Sequence, residues 1–267
     1  MWTVVHPINV VDGNVRTYWH HVMQMVLMIS ERVFWAESHI SRTGRIVFVT
    51  PNATDLRIVI DEYGWIPLLG HPIAYTTHIP VATSDSILRT ARTCDPLNTP
   101  NGKHAYCRGV LDALRIRVMD RLQLHVARPL RRVLTVVREP WMHNSRTRLI
   151  DNLHEVVANA TLFALHNRMS VETTTMHGMS IRSQLKLFST SAVIVLQRGS
   201  ACANLIVARN DSDVVLLSSP DRWRPSYWIP PQYRLHYGVV YGGNFDRTVH
   251  VDIPSLHTAL RHVYMRA

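Results

Sequence analysis

Two stretches of this chain each join an apolar, β-branched run to a turn and a helical pattern, at the separation one βαβ unit requires. The first is R-R-V-L-T-V-V-R-E-P-W-M-H-N-S-R-T-R-L-I-D-N-L-H-E-V, Arg131 to Val156. The second is S-I-R-S-Q-L-K-L-F-S-T-S-A-V-I-V-L-Q-R-G-S-A-C-A-N-L, Ser180 to Leu205. Short β-branched runs bounded by turn residues read as buried parallel strands. At the carboxyl end of such a strand, beside a helix N-terminus, unpaired backbone N–H groups and the helix dipole converge, and α/β proteins bind phosphates there. The pattern therefore constrains the fold to α/β and points to a diphosphate-linked small molecule.

Composition narrows the classes. A chain of 267 residues, 46% apolar, can bury one large core or two small ones. No apolar run reaches the ~18–20 residues of a membrane span. The N-terminus lacks the charged and apolar regions of a signal peptide. Cys94, Cys107 and Cys202 are too few and too irregular for a disulfide framework or a zinc site. A cytoplasmic protein is the expectation. The net charge is +10, and only Lys103 and Lys186 are lysines, so 27 of the 29 basic residues are arginine. Arginine grips phosphate oxygens with a planar fork, although a G+C-rich coding bias would produce the same excess. The arginines are spread along the chain without interleaved aromatics, which argues against nucleic acid as a partner.

The periodicity alternates between β and α. Strands are expected at Val4–Val11, Arg45–Thr50, Ile73–Thr83, Arg131–Val137, Met169–Glu172, Ala192–Leu196 and Val214–Ser218. Helices are expected at about Arg16–Ser38, from Pro51–Thr54 to Gly64, and at Tyr106–Leu124, Leu149–Ala160 and Ser180–Phe188. A final helix follows an Asp252 cap, with Leu256, Leu260 and Val263 on one face. Ala127–Pro129 reads as a linker, and Pro220–Tyr233 as an aromatic, proline-rich loop. The domains expected are 1–128, an acceptor-side α/β domain, and 129–250, a nucleotide-sugar-binding Rossmann-like domain. The 251–267 helix is expected to pack back on the first.

These residues resemble glycosyltransferase family 61, the group of plant xylosyltransferases and animal O-linked N-acetylglucosaminyltransferases with the two-domain GT-B fold. The family has a strand ending in arginine, a basic turn containing asparagine, and an I-x-N-x-x-E-V-like helix. These features fall on Arg138, on Asn144, Arg146 and Arg148, and on Ile150, Asn152, Glu155 and Val156. Its second signature is matched by Ser180, Gln184, the strand Ala192–Leu196, and then Gln197, Arg198, Gly199, Ser200, Ala201 and Asn204. Tyr18–Trp19–His20–His21 is similar to its aromatic–histidine segment. Two positions depart from it: Arg198 stands where the family loop has histidine, and Gln24 where it has an aspartate. The chain is also shorter than most members and lacks their membrane anchor. A small cytosolic variant, such as large algal viruses carry, fits both absences.

The resemblance implies transfer of a sugar from a UDP-sugar to a glycan hydroxyl. Such chemistry needs the diphosphate leaving group stabilised, by a metal or by preorganised positive charge. Asp211–Ser212–Asp213 has the spelling of a metal motif, but it precedes a strand and reads as a turn. Arg138, Arg146 and Arg198 are expected to take the metal's place, so no metal and no other cofactor is expected. Small residues at Gly199, Ser200 and Ala201 would let the backbone approach the diphosphate. Asn144, Ser180, Gln184 and Asn204 complete the donor set, with Glu155 as an acceptor for ribose hydroxyls. His20 matches the family histidine and titrates near neutrality, which suits a general base; His21 and Asp12 are the alternatives. Trp223, Tyr227, Trp228 and Tyr233 would stack on a sugar or pack between domains. No nucleophile elbow, H-E-x-x-H zinc motif or P-loop is present.

The expectation is an inverting, metal-independent GT-B enzyme, with two Rossmann-like domains facing across a cleft and UDP-xylose as donor. UDP-N-acetylglucosamine is the other donor. A non-catalytic nucleotide- or sugar-binding module is the alternative function.

Overall fold

The computed structural model describes residues 1–7, 22, 26–49, 64–76, 104–124, 130–138, 149–218, 234–241 and 248–264. The chain divides into two units, Met1–His125 and Val126–Ala267.

The first unit contains a parallel sheet in the order β1 (Trp2–Pro7), β2 (Gly44–Val49), β3 (Ile73–Thr76). Trp2 lies opposite Gly44 in register, and its indole covers that glycine so closely that a Cβ there would overlap the ring. The indole is fully buried and donates from Nε1 to Ser41 O at 2.8 Å. Helix α1 (Leu27–His39) lies between β1 and β2 in sequence, and α2 (His104–Leu122) packs against it. Ile29, Val33 and Ala36 are fully buried. They continue the helical spacing seen in the sequence.

One polar cluster ties this unit together. Arg117 on α2 grips Glu37 on α1 with both ends of its fork, Nη1 to Oε1 at 2.8 Å and Nη2 to Oε2 at 2.6 Å. His71 Nε2 donates to Glu37 Oε1 at 2.6 Å, and Arg117 Nη1 also reaches Leu69 O at 3.0 Å. Burial alone would push the Glu37 carboxyl up, but the hydrogen bonds from Arg117 and His71 outweigh it and hold the group below its ordinary value.

The second unit is a six-stranded sheet in the order β5 (Ser170–Thr174), β4 (Leu130–Val136), β6 (Ser191–Gln197), β7 (Asp213–Ser218), β8 (Arg234–Tyr241), β9 (His250–Val251). All neighbours are parallel except β8 and β9. Helix α3 (Leu153–His166) joins β4 to β5, and α4 (Ile181–Thr190) joins β5 to β6. Val133, Val193, Val195, Val215 and Leu217 form one core face with α3 and with α5 (Ile253–Tyr264). By strand alternation, Leu134, Ile194, Leu196, Val214 and Leu216 face the other way. There α4 packs on β4, on β6 and on a 3-10 helix, Ser200–Val207. Strands covered on both faces have to be apolar at nearly every position, as β6 and β7 are.

Four features differ from the sequence expectation. Helix α3 begins at Leu153, four residues later than expected. Asn152 holds the segment back: its side chain donates to Val251 O at 2.9 Å and accepts from Val251 N at 3.0 Å, while Ile150 bridges Val249. The strand β8 was not expected, nor the 3-10 helix. The last helix belongs to the second unit. Leu256, Ala259, Leu260 and Val263 lie in its core beside α3, where each buried Leu or Val contributes ~1.5–3 kcal/mol. The Asp252 cap is formed, with Oδ2 accepting from Ser255 N at 2.9 Å.

The Glu37 cluster gives a pH prediction. Its carboxyl is more acidic folded than unfolded, so the stabilisation is complete above the unfolded value of about 4.3. It is lost as pH falls through the lower folded value. Glu37→Gln should lower stability near neutral pH by about 1–3 kcal/mol and flatten the acid limb of a thermal-denaturation profile. An unchanged acid limb in that variant would assign the acid sensitivity elsewhere.

Candidate functional site

The strand order of the second unit sets where a ligand can sit. From β4 the chain moves outward to β5, then returns past β4 to β6, so the winding direction reverses between β4 and β6. Helices that lead away on opposite faces leave a crevice outside the carboxyl ends of those two strands. Arg138 lies two residues beyond β4, and Arg198 and Gly199 follow β6 directly. The sequence signatures thus meet at one point.

The contact there is specific. Arg138 Nη2 donates to Arg198 O at 3.3 Å, and the guanidinium lies against Gly199 so closely that a Cβ would overlap Nη2. Gly199 has an extended backbone, with φ 165°, which any residue can adopt; space is what requires glycine. Burial works against the charge of Arg138, and the pull of Cys202 only partly offsets it. The guanidinium still remains a cation at any physiological pH. Among the described residues no carboxylate pairs with it. Cys202 lies beneath, fully buried, its thiol pushed up to about 11 by burial against the opposing effects of the Gly199 backbone, Arg138 and Arg198. It is therefore a neutral packing group.

The 3-10 helix starts immediately after Gly199, and its first internal bond is Cys202 N to Gly199 O at 3.0 Å. The N–H groups of Ser200 and Ala201 have no acceptor within the helix, as at any helix start. A half-buried fork resting on a glycine and two such N–H groups make an arrangement suited to a phosphate.

A second group forms alongside. Ser180 caps α4, its Oγ accepting from Ser183 N at 3.2 Å. Gln184 Nε2 donates to Met176 O at 3.2 Å and to Met179 O at 3.1 Å, and its Oε1 accepts from Asn204 Nδ2 at 3.1 Å. Glu155 stands apart, exposed in the first turn of α3 and 3.7 Å from His154 Nε2. Asn152 anchors that turn to β9, three strand spacings from β6 (~14 Å). His20, His21, Asp12, Gln24, Asn144, Arg146 and the aromatic segment 220–233 lie outside the described residues.

The Asp211–Ser212–Asp213 spelling falls at the amino end of β7, at the opposite edge of the sheet from Gly199. Asp211 pairs with Arg209 at 2.8 Å, Ser212 Oγ donates to Ser191 O at 2.8 Å, and Asp213 is buried at the start of the strand. It is a structural turn. The carbonyls of Met176 and Met179 were not singled out by sequence, because backbone acceptors carry no signal in side-chain type.

No helix among the described residues is long and apolar enough to cross a membrane. The search of curated proteins found no match. Among solved structures, the chain is similar to the E. coli ADP-heptose LPS heptosyltransferase II, at 11% identity over 100% of this chain and 99% of that one, with a TM-score of 0.30. At that level the likeness speaks for neither fold nor function. The family model for glycosyltransferase 61 matches residues 18–215, about three quarters of the chain and all of both signatures. The protein belongs to glycosyltransferase family 61.

Proposed function

We propose that the protein is an inverting, metal-independent glycosyltransferase of the GT-B type, acting in the cytoplasm on a UDP-sugar, best xylose, and a glycan hydroxyl. The observation that carries this reading is the half-buried Arg138 guanidinium at the switch point, held by a carbonyl and, among the described residues, by no carboxylate. A cation so placed suits a diphosphate, which would bring the negative charge that no described carboxylate supplies.

In the reaction, the acceptor oxygen attacks the anomeric carbon as the bond to the β-phosphate oxygen breaks. The acceptor proton passes to a base, for which His20 is the first candidate and His21 and Asp12 the alternatives. Arg138, Arg146 and Arg198 balance the charge on departing UDP, so no metal or other cofactor is required. The N–H groups at Ser200 and Ala201 add to this, beside the Arg138 fork that Gly199 makes room for. Asn144 and Ser180 belong to the same donor set, and Glu155 takes the ribose end. Arg198, longer than the family's histidine, narrows the space beside the sugar and favours a pentose.

A non-catalytic binding module is the second reading, favoured by Gln24 where the family has an aspartate and by Arg198 where it has histidine. Release of UDP from a donor separates the two, since a module that only binds releases none.

Arg138→Ala should weaken UDP binding by roughly 1.5–3 kcal/mol in calorimetry, the range for a hydrogen bond to a charged group. Arg138→Lys should recover only part, because a point charge lacks the fork. Unchanged affinity in a folded Arg138→Ala protein would remove the phosphate role. Gly199→Ala should stay folded, since the atom it displaces is the end of a flexible side chain, yet lose UDP affinity to a degree comparable with Arg138→Ala. Activity should survive EDTA. UDP release should be faster from UDP-xylose than from UDP-glucose or UDP-N-acetylglucosamine, by no more than the ~10–200-fold that size alone provides. A fastest rate with N-acetylglucosamine would overturn the size argument, and a requirement for a divalent ion would overturn metal independence.

A further inference from the structure

We infer that Gln184 and Asn204 are positioning residues that hold the β5–α4 turn beside the diphosphate and do not themselves touch the donor; the inference rests on the phosphate site proposed at Arg138. Both polar atoms of the Gln184 amide are engaged within the protein. Both amide hydrogens are directed at carbonyls of the turn, Met176 O and Met179 O, and Oε1 is taken by Asn204. A flipped amide would set its oxygen against two carbonyl oxygens, so the network admits one orientation. Asn204 is fully buried in the 3-10 helix that begins beside Gly199, with Nδ2 also 3.9 Å from Met176 Sδ.

The chain of bonds therefore runs from the β6 turn, through the first turn of α4, to the β5 turn. These two turns flank the carboxyl end of β4, where Arg138 emerges. Locking them together fixes the crevice walls on either side of the guanidinium. It also directs two carbonyl oxygens toward Gln184. Carbonyls released from that bond would be free to turn toward the crevice and repel an anion at the end of β4. The pair thus acts on donor affinity through the turn, and leaves the bond-making step on bound donor unaffected.

The test replaces both partners by apolar side chains of similar shape, Gln184→Met with Asn204→Leu, a change that folding tolerates better than the loss of one partner. With the fold verified by circular dichroism, calorimetry should show UDP binding about 10-fold weaker, and KM for the UDP-sugar should rise by a similar factor with kcat within about 2-fold. UDP affinity and KM at wild-type values in the folded double variant would overturn the inference, reducing the pair to a stabilising contact. A fall in kcat at unchanged KM would also overturn it, by placing the pair at the reacting groups. If the double variant does not fold, Gln184→Glu decides by the same titration. It keeps the acceptor for Asn204 and sets a carboxylate against the two carbonyls, and wild-type UDP affinity in it would equally overturn the inference. Arg138→Ala serves as the reference. Lost binding there with intact binding in the double variant sinks only the positioning role, whereas intact binding in both sinks the phosphate site itself.

Discussion

The reversal of winding between β4 and β6 is the constraint on which the second unit depends. A parallel sheet must cover both faces, so α3 and α4 have to leave in opposite directions, and the strands between them must be apolar on both sides. Val133 and Leu134 on β4 and Val193 and Ile194 on β6 meet that demand, each adjacent pair buried toward opposite faces. The same reversal opens the sheet's carboxyl edge at a single place. Arg138, Arg198 and Gly199 meet at that opening.

The arginines show how charge is sorted. Arg117 is matched bidentately by Glu37 and Arg209 by Asp211, and Arg132 pairs with Glu172. Those pairs join elements of the fold or close a turn, and their charge is already answered. Arg138 is partly desolvated and, among the described residues, meets a carbonyl and no carboxylate. A half-buried cation left so is costly for a fold and useful for a ligand that brings its own negative charge. Sequence-wide arginine excess says nothing about which residue plays which part. The local partner decides it.

Much of the fold was legible because its signals are local. The runs Arg131–Val137 and Ala192–Leu196 announced β4 and β6, Ser180 announced the start of α4, and Asp252 announced α5. The late start of α3 was not legible, since Asn152 answers to the backbone of Val251, which lies 99 residues away. Helix propensity around Leu149 was overridden by that distant pair. The position of α5 was hidden for the same reason: an apolar stripe states that a helix is buried, not against what. Among the candidate site residues, Arg138, Arg198 and Gly199 were found by pattern and converge in space, while Gln184 and Asn204 were found by pattern and bond to one another.

By itself, then, the sequence determined the α/β class, the two strand-to-turn signatures and the residue types able to hold a diphosphate. Each of these follows from short-range periodicity and turn chemistry. Tertiary structure alone decided that Arg138 rests on Gly199 and that the amide of Gln184 faces two carbonyls. The physical reason is that these depend on strand order. A crossover brings residues 60 positions apart, such as Arg138 and Arg198, within hydrogen-bond reach, and no window of sequence contains that information.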